Sequence, residues 1–406
     1  MKYHFFLSII TLLIICSSCS KNTTEELDDS IYTIDSDNTT GNKDGQSHQD
    51  QDTISANNIT DSYRYQLPII FHILYTNEAE KDSLPPERFT TILKNVNDLY
   101  KGNIYNSQSV DLGIDFVMAT HNEQGELLKN SGIEYIHWNS DSISPSEFMK
   151  NSTGKYKSLI WEPNDYINIM VYPFKTDTTK STTTLGISHL PYTTTEHKLE
   201  GLSVKDGQVT KDNIKFAYCS SINSKYAQKS SDSWRYTQNK RNPNWNINSS
   251  TVDISVTLAH ELGHYLGLHH VFADDGDDKL VDKEEDTDYC KDTPSYNRVT
   301  YTAQLTERVL EMNEYNKQNL NIEGLTIDNF YELVNRTNQD STFQSHNLMD
   351  YSFSHSDLFT QEQRDRIRNV LYYSPLIPGP KKNSNAVSVT RATNNEIFDL
   401  PIHVAR

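Results

Sequence analysis

Residues 260–270 read HELGHYLGLHH. A catalytic zinc site needs neutral nitrogen or anionic ligands in a tetrahedral array with one position left open. Two histidines four apart on a helix project from one face, because a turn takes about 3.6 residues. His260 and His264 meet that condition. Glu261, next to the first of them, can reach a water at the open position without being a ligand. Gly267 lets the chain leave the helix in a left-handed or otherwise tight turn, which can bring back His270 as the third imidazole. His269 falls one residue short of that spacing and is expected on the cleft or the surface. Three imidazoles, an open position and an adjacent carboxylate are the parts of a metal-assisted hydrolysis. The bland alternative is an amphipathic helix whose histidines lie on its polar side.

The elements around this run have to hold it in place. A helix is expected over about 251–266. Ser250 with Asp253 gives a capping-box signature, Val252, Val256, Ala259 and Leu262 supply apolar positions, and Gly267 stops the helix. Upstream, QLPIIFHILY (66–75) is an apolar, β-prone run that reads as a buried strand. Residues 86–100 carry Phe89, Ile92, Leu93, Val96 and Leu99 at helical spacing. Segments 109–119 and 166–172 read as further strands, and 185–192 as an edge strand. Downstream, 302–335 is helical and precedes His346. A last helix is expected over 360–372, with Ile367, Val370 and Leu371 on one side.

The chain has 406 residues and a net charge of −18, which argues against nucleic-acid binding. The acidity is local. Residues 20–61 hold ten acids and two lysines, and 272–292 hold ten acids and three lysines, so the rest is nearly neutral. Residues 1–18 read as an export signal: Lys2, then the apolar stretch 5–15, too short to span a bilayer. It ends in Cys16-Ser17-Ser18-Cys19, where small residues precede a cysteine as in a lipobox. Cleavage before Cys19 would leave it lipidated and the chain on a bacterial cell envelope, in either leaflet. Cys16 is the weaker candidate because Ile15 precedes it, and a plain secretory signal is the alternative. Residues 19–62 are polar and expected to be a flexible tether. Residues 63–375 form the catalytic domain, and 376–406 a tail that is loose or drapes over it. Export permits a disulfide, and Cys219 and Cys290 are the two cysteines beyond Cys19; buried free thiols are the alternative. Asp274, Asp275, Asp277 and Asp278 surround Gly276 without an EF-hand pattern. They suit an oxygen-ligated calcium, or simply a solvated acidic surface.

HExxHxxGxxH resembles the motif of the metzincin zinc peptidases. Within that clan the chain is most similar to the pappalysin, or cytophagalysin, family. HELGHYLGLHHVF, DTDYCKDTP (286–294), NLMDY (347–351) and LFTQEQRDRIR (358–368) carry the likeness, with IIFHILY and WEPNDYINIMVYPF (161–174) upstream. The resemblance implies an α+β, zincin-like domain with a twisted mixed sheet, a backing helix and an active-site helix. Below these lies an irregular C-terminal subdomain holding His270 and a methionine turn at Met349. It implies zinc as cofactor, Glu261 as the base and peptides or proteins as substrates. It also implies that Tyr351 supports the transition state. The long stretch 300–345 and the scarcity of cysteines depart from the family. Two other functions stay open. One is a surface binding lipoprotein with a vestigial site, against which Glu261 argues. The other is a zinc amidase acting on a non-protein substrate. The oligomeric state is not legible.

Overall fold

The first strand, β1 (Tyr65–Tyr75), has a sequence, YQLPIIFHILY, that leaves Gln66 exposed and buries nearly everything else. A strand that is apolar on both faces belongs inside a parallel sheet covered on both sides. The computed structural model describes residues 50, 58–176, 184–207, 209–227, 253–274, 281–319, 332, 334–351, 353–382 and 402–405, and places β1 in such a sheet. β2 (Ile114–Met118) and β3 (Ile133–His137) share one edge of β1, pairing parallel with its first and second halves. β4 (Ile167–Tyr172) runs parallel along the other edge. β5 (Gly186–His189) and β6 (Ser220–Asn223) complete the central sheet: β6 is parallel to β4, and β5 is antiparallel to β6.

Two helices cover one another against the sheet. α1 (Pro86–Lys101) starts with proline in its first turn and buries Phe89, Ile92, Leu93, Val96, Leu99 and Tyr100. It ends at Gly102, where φ is 65° and a Cβ would lie 2.4 Å from the Val110 carbonyl, so only glycine fits. α2 (Ile254–Tyr265) is buried nearly all round. Asn95 of α1 donates to Ser255 at 3.1 Å, and the Tyr100 hydroxyl donates to the Ala259 carbonyl at 3.0 Å. The backing helix therefore holds the site helix at the residue just before His260.

Below α2 the structure is less regular. α3 (Arg298–Asn319) leads to a short hairpin, β7 (Arg336–Thr337) with β8 (Thr342–Phe343), and then α4 (Gln361–Tyr373) closes the subdomain. α4 opens with a complete capping box between Thr360 and Gln363. The expected α+β architecture, a mixed sheet with two helices above an irregular lower part, is the one that forms.

Several local expectations need correction. The cap of α2 is Asp253 itself: its Oδ1 accepts from Ser255 N at 2.8 Å and Val256 N at 3.4 Å. Ser250, its expected partner, lies outside the described residues, as do Cys16, Cys19 and the signal segment. Order begins before Tyr63. Ile59 is buried in the core, and Asp50 accepts from the backbone N–H groups of Thr120 and His121 at 2.8 and 2.7 Å. The tail is docked in part: Leu376 and Ile377 are buried in the main core. The segment 185–192 is not an edge, because β9 (Ile402–Ala405) pairs antiparallel with the outer side of β5.

No Cys219–Cys290 disulfide forms; both thiols are free and buried. They face different surroundings. Cys219 enters β6 with its Sγ 3.7 Å from Met149 Sδ and 3.2 Å from the Ala217 carbonyl. Cys290 sits in the loop ahead of α3, where its N–H donates to Asp288 at 2.9 Å. Burial pushes the Cys219 thiol up to about 12, so it stays protonated and inert at neutral pH.

Candidate metal centre

α2 ends in a Schellman turn. Leu268 N–H donates to the Gly263 carbonyl at 2.9 Å and Gly267 N–H to the His264 carbonyl at 2.8 Å, with Gly267 at φ 96°. Arg366 of α4 braces this turn, donating to the Gly267 carbonyl at 2.6 Å. The chain thus reverses directly after the helix and brings His270 back over it.

His260, His264 and His270 converge and are buried. His264 Nε2 lies 3.0 Å from His260 Nε2 and 3.1 Å from His270 Nε2. Each ring uses its other nitrogen elsewhere. His260 Nδ1 donates to the Leu348 carbonyl at 2.7 Å, His264 Nδ1 to the Leu268 carbonyl at 2.8 Å, and His270 Nδ1 to Asp274 Oδ2 at 2.8 Å. A neutral imidazole has one N–H. With that proton spent at Nδ1, each Nε2 presents a lone pair, and three lone pairs so close together repel unless a cation sits among them. At Zn–N distances of roughly 2.0–2.1 Å, Nε2 separations of 3.0 and 3.1 Å subtend about 95°, a little tighter than tetrahedral. The donor set therefore fits a zinc ion.

Asp274 is one of the four aspartates whose sequence left calcium ligation and a solvated acidic surface both open. It instead anchors His270, while Asp275, Asp277 and Asp278 lie outside the described residues. This positioning role was missed, although a carboxylate four residues past the third histidine is a usable signal. His269 turns away: its ring meets Tyr289 edge-on at 5.4 Å, and its Nε2 lies against Gly201.

Met349 lies under the cluster. A Cβ on Gly263 would come within 2.4 Å of its Sδ, so the methionine occupies the space that this glycine leaves on the helix. The Met349 loop is fixed from both sides. Leu348 supplies the carbonyl for His260, and Val271 N–H donates to the Met349 carbonyl at 3.3 Å. Asn347 and Gln363 exchange two amide hydrogen bonds of 3.0 Å, which ties the loop to the first turn of α4. The next residue, Asp350, is fully buried between Arg336, 3.1 Å away, and Arg298, 3.4 Å away, and accepts from the Tyr296 hydroxyl at 2.6 Å. Burial alone would raise its pKa, but the two guanidiniums outweigh burial and hold the carboxyl below its ordinary value. Asp350→Asn would leave two buried cations short of a counter-charge. It is expected to cost about 3–5 kcal/mol at neutral pH. Because the folded-state pKa is lowered, that difference from wild type should shrink as pH falls through the carboxylate range. Denaturant unfolding at pH 7 and pH 3 measures both.

Tyr351 packs against the cluster, with its ring 4.6 Å from that of His270 and 4.7 Å from that of Phe272, beneath the Arg298 guanidinium at 4.9 Å. Glu261 is fully buried, and Gly186 of β5 lies against it: a Cβ there would meet Glu261 Oε1 at 2.5 Å. No local pattern around Gly186 points to this contact. A second group, His346, His355 and Asp357, also gathers donor atoms. Its two imidazoles stack 4.2 Å apart at 5°, so no point lies in both ring planes, and Asp357 instead accepts from His346 at 2.9 Å. This second group is built as a stack rather than a metal site.

Residues 236–372 match the model of peptidase family M43, pregnancy-associated plasma protein-A. No curated protein matches. Among solved structures, mature mirolysin of Tannerella forsythia in complex with a cleaved peptide is similar at 18% identity, over 75% of this chain and 90% of that one, with a TM-score of 0.45. Mirolysin in complex with compound 9 covers 76% and 92% at 18% identity and TM-score 0.45. A Tannerella forsythia promirolysin mutant covers 76% and 81% at 18% identity and TM-score 0.44. The family match spans all three histidines and Met349. Residues 236–372, about a third of the chain, are similar to the pappalysin-like metzincins. The chain is a metalloendopeptidase, and its cofactor is zinc.

Proposed function

We propose that His260, His264 and His270 hold the zinc and that Glu261 is the general base in hydrolysis of peptide bonds. Three Nε2 lone pairs meeting within 3.0–3.1 Å, with each Nδ1 committed to an acceptor, are the observation that carries this reading. Bound there, zinc supplies a Lewis acid that acidifies water and polarises a carbonyl. Glu261 accepts the proton of the attacking water and returns it to the leaving amine. Tyr351 steadies the charge that develops on the carbonyl oxygen. Met349 gives the imidazoles an apolar floor, and Gly267 supplies the turn that returns His270. An extended substrate that displaces β9 would pair its backbone with the outer side of β5, which needs little sequence preference. Asp274 is a positioning residue: it fixes the His270 ring and its tautomer.

Zinc content and cleavage of a mixed protein digest test the assignment. His270→Ala should lose zinc and cleavage together, while His269→Ala keeps both; the reverse pattern would overturn the ligand set. A chelator should abolish cleavage, and added zinc restore it. Failure to cut any peptide while an amide of another class is hydrolysed would favour the amidase alternative. Asp274→Asn is expected to weaken zinc affinity about 10–100-fold, the usual loss when a ligand's supporting partner is removed. A competition titration against a chelating dye reads this out, and unchanged affinity would remove Asp274 from the site.

We also propose that the chain is exported and lipid-anchored through Cys19 on the cell envelope. The apolar run and the small residues before Cys19 support it. Among the described residues no helix is long and apolar enough to cross a membrane. Incorporation of labelled fatty acid that Cys19→Ala abolishes is the expected result; unlabelled wild type would refute it.

A further inference from the structure

Resting on that reading of β5, we infer that segment 402–405 of this chain occupies the strand position an extended substrate needs, so that the protein holds its own cleft closed. β9 pairs antiparallel along all of β5: Gly186 opposite Ala405, Ile187 opposite Val404, Ser188 opposite His403 and His189 opposite Ile402. Gly186 is the residue that lies against Glu261. Ala405 is thus one strand spacing, about 4.8 Å, from the glycine that touches the catalytic carboxylate. β9 therefore runs along β5 beside the catalytic carboxylate.

Physical chemistry favours this occupant. A sheet edge offers backbone donors and acceptors to any extended segment, whatever its side chains. A segment covalently attached to the same chain competes at an effective concentration of the order of millimolar. Nineteen residues separate Lys382, the end of the described lower subdomain, from Ile402. Such a length spans up to roughly 60 Å, ample to reach the sheet and to leave it again. A substrate must displace β9 before it can pair, so removal of β9 should act on KM more than on kcat.

The experiment compares three zinc-loaded proteins: the full chain, a chain ending at residue 400, and a full-length double variant His403→Pro, Val404→Pro. Consecutive amides on a strand point to opposite edges, so one of the two prolines removes a donor facing β5 whichever way β9 is bonded. Cleavage of a short quenched peptide library and hydrogen exchange at the Gly186 and Ser188 amides are both measured, because the His189 N–H, and with it that of Ile187, faces β6 instead. Self-occupation predicts a tenfold or larger rise in kcat/KM for both altered proteins, carried by KM, and faster exchange along β5. It also predicts that a synthetic 399–406 peptide restores protection and inhibits the truncated protein competitively. Equal kcat/KM and equal exchange in all three, with zinc and thermal stability retained, would overturn it. So would an added peptide that neither protects nor inhibits. If none of the three cleaves any peptide, the peptidase reading has failed, and exchange along β5 still decides whether β9 covers the edge.

Discussion

Glu261→Gln should bind zinc as wild type does and lose about 10²–10⁴-fold in kcat, the usual contribution of a positioned base. The carboxylate is not among the three converging nitrogens, so metal content should not change. Glutamine keeps the size of the side chain in a fully buried place, so packing against Gly186 should hold. What is lost is the ability to take a proton. KM should change little, because the variant loses an interaction made in the transition state rather than in the bound substrate. Zinc analysis, thermal unfolding and steady-state kinetics on one peptide separate these quantities. A variant as active as wild type would remove Glu261 from the chemistry, and loss of zinc would recast it as a ligand.

Gly186→Ala is expected to be nearly as damaging, through one methyl group. Its φ is not in the left-handed region, so the backbone of β5 accepts alanine without strain. The added Cβ, however, would stand 2.5 Å from Glu261 Oε1, 2.6 Å from its Cγ and 2.8 Å from its Cδ. The whole carboxyl arm has to move, not only its tip. A displacement near 1 Å at a reacting group costs about 10²-fold. We expect kcat to fall by that order with zinc retained and the melting temperature little changed. Unaltered kcat would mean that the base has room to shift, and that β5 does not set its position.

The parts of this site that were legible in the sequence are those fixed by local geometry. His260 and His264 follow from the helical period, and Gly267 from the need for a turn with positive φ. Met349 was legible only through its family resemblance, because nothing local distinguishes it from a core methionine. Residues that act across the fold were invisible. Gly186 matters because β5 passes α2, Arg366 because α4 lies under the Gly267 turn, and Asp350 because two arginines distant in sequence surround it. Asp274 was visible as a residue, but it was read with its acidic neighbours, as calcium ligands or a solvated surface, and not by its spacing from His270. The Cys219–Cys290 pairing failed for a similar reason: compartment permits a bond, but only tertiary placement decides whether two sulfurs meet. β9 was the largest omission. Four residues without a strong pattern gain their place from the open edge of β5 and not from their own propensity.

Zinc K-edge X-ray absorption on the purified, zinc-loaded protein tests the central claim most directly. The account predicts three imidazole nitrogens and one oxygen at about 2.0–2.1 Å, falling to two imidazoles or to no bound metal in His264→Ala. A sulfur scatterer near 2.3 Å, or a wild-type spectrum unchanged in that variant, would contradict it.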